Sequence, residues 1–265
     1  RGTEDKRDTD RPLHENVRWL ASTLGQVIRK FEGDQVFESV EFLRSSCRNR
    51  RHRDPHAKSL GELLEHVDAL PLEQAASVAR AFTLFFLLIN TAEQVHRVRR
   101  SRSHDRPDEP VQPWCIQWTL AELHKQGKSP EQIEEALRAL QVRPVLTAHP
   151  TESTRRTVLA LQARVADLLL GRDEAGEGER HDIEGDLAAE IELLWLTSEL
   201  RHDRPRVMDE VSTMQWYLED RLLSAVANVT ETVEKAFETC FGRPLRNTAP
   251  LSTGSWVGSD RDGNP

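Results

Sequence analysis

The chain has 265 residues, 37% of them hydrophobic and 30% charged, which is ample for one large core or two domains and unlike a disordered polypeptide. Its net charge of −8 repels nucleic acid and anionic membranes at long range, so an anionic substrate has to be met by a local basic cluster. Cys47, Cys115 and Cys240 are odd in number and far apart, without a Cys-x-x-Cys pair, which argues against a disulfide framework and against a zinc site. The longest apolar run, Leu84 to Ile89 after Phe82, falls short of the roughly 20 residues needed to cross a bilayer. Arg1 to Pro12 is charged and has no apolar leader segment, so the expected location is the cytoplasm.

Apolar residues recur at spacings of three and four, and alternating β-branched runs are nearly absent, so the chain reads as mainly α. Val17, Leu20, Leu24, Val27, Ile28 and Phe31 form one stripe that ends near Gly33. Val36, Val40, Leu43 and Cys47 form a second, which dissolves into the basic stretch Arg48 to Arg53, and Leu60, Leu63, Leu64 and Val67 form a third that stops before Pro71. These predict antiparallel helices of a bundle joined by short connections. From Pro71 to about Arg100 the pattern is longest, and it is apolar nearly all round between Phe82 and Ile89, which predicts a central helix. Its basic tail, Arg97, Arg99, Arg100 and Arg102, reads as a solvated helix end facing the carboxyl-terminal dipole. Ser101 to Pro113 is expected to be a loop, followed by a helical pair whose second member starts with Ser129 as N-cap, Pro130 in the first turn and Gln132 closing a capping box.

At Val142 the texture changes. Val145-Leu146-Thr147-Ala148 is a short strand, Pro150 ends it, and Thr151, Glu152 and Ser153 offer caps to a new helix. That helix carries Val158, Leu161, Val165, Leu168 and Leu169 and is expected to end at Gly171, with a mobile connection from Gly171 to Gly185. Further helices are predicted over about Leu187 to Leu200, Val207 to Ala227 and on to Thr239, before a last strand-like run, Ser255-Trp256-Val257-Gly258.

Residues at the carboxyl end of a strand, facing the amino end of a helix, meet anions well, because free backbone N–H groups and the helix dipole point at the same place. His149 is placed there, flanked by Thr147, Thr151, Arg155 and Arg156. A neutral imidazole in that setting can act as a base on a phosphate- or carboxylate-bearing substrate. A solvated or capping histidine, and two surface arginines, are the plainer alternatives. The terminal run Gly258-Ser259-Asp260-Arg261-Asp262-Gly263-Asn264-Pro265 has its second glycine in the wrong place for a calcium loop. By itself it is an Asp-Gly turn of the kind that also serves active-site loops.

Taken together, Val145 to Glu152 with Arg155-Arg156 resembles the histidine motif of the phosphoenolpyruvate carboxylases. Asn90-Thr91-Ala92-Glu93-Gln94 with His96 and Arg97 to Arg100 is similar to that family's upstream helix. Trp195-Leu196-Thr197-Ser198-Glu199-Leu200-Arg201, with Arg204-Pro205 and Asp209-Glu210, resembles a third segment, and Ser255 to Pro265 its terminal glycine-aspartate-arginine signature. Val257 stands where the family usually has methionine, and Ser259 where it has a second glycine.

The resemblance implies a helical bundle surrounding the first strands of an incomplete β/α barrel of TIM type, with a helical region over 1–141 and the start of the barrel over 142–265. It implies carboxylation of phosphoenolpyruvate by bicarbonate to oxaloacetate and phosphate, with Mg2+ or Mn2+ bound by residues outside this chain. His149 is then the general base, Trp256 lines the apolar carbon dioxide pocket, and Asp260, Arg261, Arg155 and Arg156 lie about the substrate. It implies a homotetramer, with no nucleic acid or membrane partner. Family members are several times longer, so the chain is expected to be a piece of the enzyme, inactive alone and with an open strand edge. The competing reading is a non-enzymatic helical interaction or regulatory module derived from that enzyme.

Overall fold

The structure, a computed structural model, describes residues 10–104, 111–146, 155–198, 207–245 and 248–256. Helices dominate: α1 Arg11–Glu32, α2 Asp34–Arg51, α3 Leu60–Asp68, α4 Leu72–His104, α5 Ile116–Lys125, α6 Pro130–Ala139, α7 Arg156–Glu174, α8 Glu177–Leu196, α9 Val207–Tyr217 and α10 Leu223–Phe241. A π-helical stretch, Leu218–Leu222, joins α9 to α10, so the expected break near Ala227 is absent. Two short strands, β1 Val145–Leu146 and β2 Gly254–Ser255, pair in parallel.

The chain divides into two compact units, one of 1–100 with 157–199 and one of 101–156 with 200–265. Each is assembled from two separate segments.

In the first unit, Leu20, Leu24, Val27 and Ile28 of α1 meet Val36, Val40 and Leu43 of α2, Leu84 and Leu88 of α4, and the buried faces of α7 and α8. Gly33 separates α1 from α2 at φ +84°, in the left-handed region that favours glycine. The second stripe is shifted from expectation: Ser39 and Ser46 turn inward and Cys47 is exposed. On α3 only Leu63 is buried, while Leu60, Leu64 and Val67 face outward. A capping box formed by Ser59 and Glu62 defines its start.

The long helix α4 runs to His104, past the expected end near Arg100 and into the segment expected to be a loop. By length and composition alone Leu72–Arg102 passes for a membrane span, a test that a packed core helix also passes. Its Leu84, Leu88, Ala92 and Val95 pack in the core of the first unit, which is the role of a central helix, although Phe86 is exposed. Arg99 does not behave as a solvated tail residue. Its guanidinium donates to Leu169 O at 3.0 Å and pairs with Asp173. Burial pulls Arg99 down and pushes the Asp173 carboxyl up, each opposed by attraction to the other.

The largest correction concerns Gly171. Helix α7 continues through it to Glu174, and α8 starts at Glu177, so the expected connection from 171 to 185 is mostly helix. A β-carbon on Gly171 would lie 3.9 Å from Ile183 Cδ1, so the small residue lies where α7 meets α8. Glu177 and Glu179 in the first turn of α8 complement its dipole. Arg172, expected in a surface connection, is buried, donating to Glu184 Oε1 at 2.8 and 2.6 Å and to Asn16 Oδ1 at 3.2 Å.

The second unit has a smaller core, Leu120, Ile133, Val233, Ala236, Phe237 and Leu245. Helix α6 starts as expected, with Ser129 and Gln132 exchanging both capping-box bonds and Pro130 in the first turn. Cys115 caps α5, its sulfur accepting from Trp118 N at 3.4 Å, and Cys240 donates to Leu120 O at 3.6 Å.

Candidate active site

The parallel pairing of β1 with β2 is the geometry that bears on function. Val145 lies opposite Gly254 and Leu146 opposite Ser255. The ladder extends beyond the named strands through Val142 N to Pro250 O at 2.7 Å, Ser252 N to Val142 O at 3.0 Å, Gly254 N to Pro144 O at 3.0 Å and Trp256 N to Leu146 O at 2.9 Å. Gly254 permits this approach, because a β-carbon there would come within 3.3 Å of the Arg143 side chain. Arg143 in turn donates from Nε to Ser252 Oγ at 3.3 Å.

Since the strands are parallel, their carboxyl ends share one edge. Both sequence motifs continue from that edge, one after Leu146 and the other after Trp256. His149, Asp260 and Arg261 themselves lie outside the described residues, as do Thr147, Thr151, Ser259 and Asp262. Of the remaining candidates, Trp256 is described at the end of β2 and is 55% exposed, so within the described structure it is not a core tryptophan. Arg155 is half-buried, and Arg156 is exposed at the start of α7.

The other two motif segments have structural work that their sequence alone does not reveal. Thr91 is fully buried; its hydroxyl donates to Leu87 O at 2.9 Å and accepts from Gln162 Nε2 of α7 at 3.1 Å. Trp195 is buried beneath the Arg80 guanidinium, 5.2 Å from its ring, and Arg80 donates to Thr197 O at 2.7 Å. The Thr91 bond ties α4 to α7, the helix that follows the histidine motif, and the Arg80 contacts tie α4 to the end of α8. The signal for this role was an apolar pattern interrupted by small polar residues, which reads equally as a functional surface.

An apolar groove of about 380 Å³ in the second unit includes Trp114, Leu140, Val142, Pro250 and Leu251 in its lining. Val142 and Leu251 stand at the amino end of the strand pair, opposite the edge that leads to the two motifs. The groove therefore lies away from the edge from which the two motifs continue. Among the described residues, no three His, Cys, Asp or Glu side chains gather to hold a metal ion.

A family model for phosphoenolpyruvate carboxylase matches residues 13–265. The chain is 36% identical over 267 residues to the phosphoenolpyruvate carboxylase of Nitrosomonas eutropha, covering 97% of this chain and 28% of that relative. It is 34% identical to that of Nocardia farcinica, over 99% of this chain and 28% of the relative. With that of Paraburkholderia xenovorans the identity is 37%, over 98% of this chain and 26% of the relative. The chain thus spans about 28% of the length of curated relatives it matches. With a match that takes in both strands, the helices around them and all four motifs, the chain belongs to the phosphoenolpyruvate carboxylase family.

Proposed function

We propose that this chain is the amino-terminal part of an enzyme that carboxylates phosphoenolpyruvate with bicarbonate, giving oxaloacetate and phosphate. The observation that carries the reading is the parallel register of β1 and β2, from whose common edge the His149 run and the Asp260-Arg261-Asp262 run both continue. His149 follows Leu146 by three residues, so chain connectivity alone keeps the two α-carbons within about 11 Å.

In the family's chemistry a bicarbonate oxygen bonds to phosphorus as the enol C–O–P link breaks, leaving carboxyphosphate and an enolate. His149 takes the carboxyl proton of carboxyphosphate, the C–O bond to phosphate breaks, and the freed carbon dioxide is attacked by the enolate carbon. An imidazole suits this task because it is neutral near pH 7 and remains basic beside anions. Trp256 contributes an apolar wall that keeps water from the reactive intermediate. Arg155, Arg156, Asp260 and Arg261 charge the surround.

Donors for Mg2+ or Mn2+ belong, in this proposal, to polypeptide beyond residue 265, and a bound ion would supply positive charge to an anionic substrate. The same reading takes β1 and β2 as the first strands of a β/α barrel, with the division at Val142 marking its start. It also takes the working enzyme to be a cytoplasmic homotetramer. The test compares oxaloacetate formation, coupled to reductant consumption, for the 265-residue chain and for the full-length gene product. Activity is expected only in the full-length protein; turnover by the 265-residue chain would overturn the proposal that essential groups lie beyond it.

A further inference from the structure

Helices α4 and α7 share a buried apolar cluster: Val158, Leu161, Val165 and Leu169 of α7 lie in it with Leu84, Leu88, Ala92 and Val95 of α4. Apolar contact is non-directional and sets the rotation and axial register of a helix weakly, whereas a buried hydrogen bond has one satisfying arrangement. Such a bond runs from Gln162 Nε2 of α7 to Thr91 Oγ1 of α4 at 3.1 Å. Thr91 is fully buried and gives its own proton to Leu87 O at 2.9 Å, so its oxygen is left as an acceptor, which is what the Gln162 amide needs. The polar ties of α7 at Arg164, Leu169, Arg172 and Asp173 lie nearer its carboxyl end.

The amino end of α7 begins with Arg156, which is exposed, and Arg155 precedes it. The first turn of α7 has no acidic residue, whereas that of α8 has Glu177 and Glu179. A cation at the positive end of a helix dipole is unfavourable to the helix, so Arg156 does not serve the stability of α7. It adds its charge to that of the free backbone N–H groups there, and the sum suits an anion. Gln162 follows Arg156 by six residues, about 9 Å along the axis. A slip of α7 by one residue would turn the helix by about 100° and swing the Arg156 guanidinium to another side.

We infer that Gln162 is a positioning residue for phosphoenolpyruvate: its bond to Thr91 sets the rotation of α7, and with it the direction from which Arg156 meets the substrate anion. The inference rests on the proposed function, in which Arg155 and Arg156 lie about the substrate. Gln162 acts through Arg156 and not on the substrate itself. Guanidinium recognition of an anion is directional, so a correctly charged but turned arginine binds it less well.

The experiment is steady-state oxaloacetate formation by the full-length gene product, with urea unfolding of each variant alongside. Arg156→Gln should raise KM for phosphoenolpyruvate at least about tenfold, the loss expected for a charge-assisted hydrogen bond. Gln162→Leu should raise it at least about fivefold, with KM for bicarbonate within about twofold. Its urea midpoint should not fall below the parent's, because Thr91 keeps its bond to Leu87 O and leucine adds apolar contact. Thr91→Ser should do the opposite, lowering the midpoint through the lost methyl group while both hydrogen bonds keep KM within about twofold of the parent's. In the Arg156→Gln background, Gln162→Leu should add less than about twofold, since the two residues act as one unit. A parent that forms no oxaloacetate would overturn the proposed function, and Arg156→Gln at the parent's KM would overturn the placing of Arg156 at the substrate; either takes this inference with it. With both of those intact, an unchanged KM in Gln162→Leu, or its full effect persisting in the Arg156→Gln background, overturns the positioning role alone.

Discussion

Replacing Glu184 with alanine tests how the first unit tolerates a buried charge. The Arg172 side chain is 8% exposed and its partner Glu184 is 28% exposed. Arg172 donates twice to Glu184 Oε1 and once to Asn16 Oδ1, and lies 5.4 Å from the centre of the Trp19 ring. Removing the carboxylate leaves a guanidinium largely out of water with one neutral acceptor. Breaking such a pair costs about 3–5 kcal/mol, and the partial exposure of Glu184 puts this case near about 3. Replacing both partners, Arg172→Met with Glu184→Leu, removes the stranded charge and restores apolar packing, leaving only the loss at Asn16. That double variant is expected within about 1 kcal/mol of the parent. Urea unfolding followed by tryptophan emission, with Trp19 beside the altered group, measures both. A Glu184→Ala cost below about 1 kcal/mol, or a double variant less stable than Glu184→Ala, would refute the reasoning.

Other consequences are checked more simply. Phe237 is fully buried in the small core of the second unit, so Phe237→Ala should cost about 3–5 kcal/mol in thermal or urea unfolding. Ser129→Ala removes the cap of α6 and should cost about 1 kcal/mol, visible as a lower urea midpoint. Glu62 is held at a pKa of about 2, first by the backbone N–H of Ser59 and then by Lys58 and the Ser59 side chain. A lowered carboxylate stabilises the fold above its ordinary range, and that contribution is lost as pH falls through about 2. An NMR titration of the Glu62 side chain should show that low midpoint; an ordinary carboxylate midpoint would contradict the capping geometry.

Features governed by a few neighbouring residues were legible in the sequence. The Ser129 capping box, the end of α1 at Gly33 and the strand at Val145 all depend on local backbone preferences, and all appear. What the sequence hid depended on partners far along the chain. Gly171 reads as a helix stop, yet α7 continues through it to Glu174, alongside Ile183 of α8. Arg99 and Arg172 read as surface charges, and only the pairing of α4 with α7, and of α7 with α1 and α8, buries them. The apolar stripe of α3 predicted a buried face, yet only Leu63 is covered. In the candidate site, motif order identified the family, while the pairing that brings both motif-bearing strands to one edge came from the structure. Thr91 and Trp195 were legible as motif residues but not as the contacts that hold α4, α7 and α8 together.

The central claim is that His149 supplies the base, and substitution in the full-length gene product tests it most directly. With phosphoenolpyruvate, bicarbonate and divalent metal saturating, His149→Ala should abolish oxaloacetate formation, a loss of at least about 100-fold in kcat for a general base, while its urea midpoint stays near that of the parent. Oxaloacetate formation at the parent rate by a folded His149→Ala protein would contradict the account.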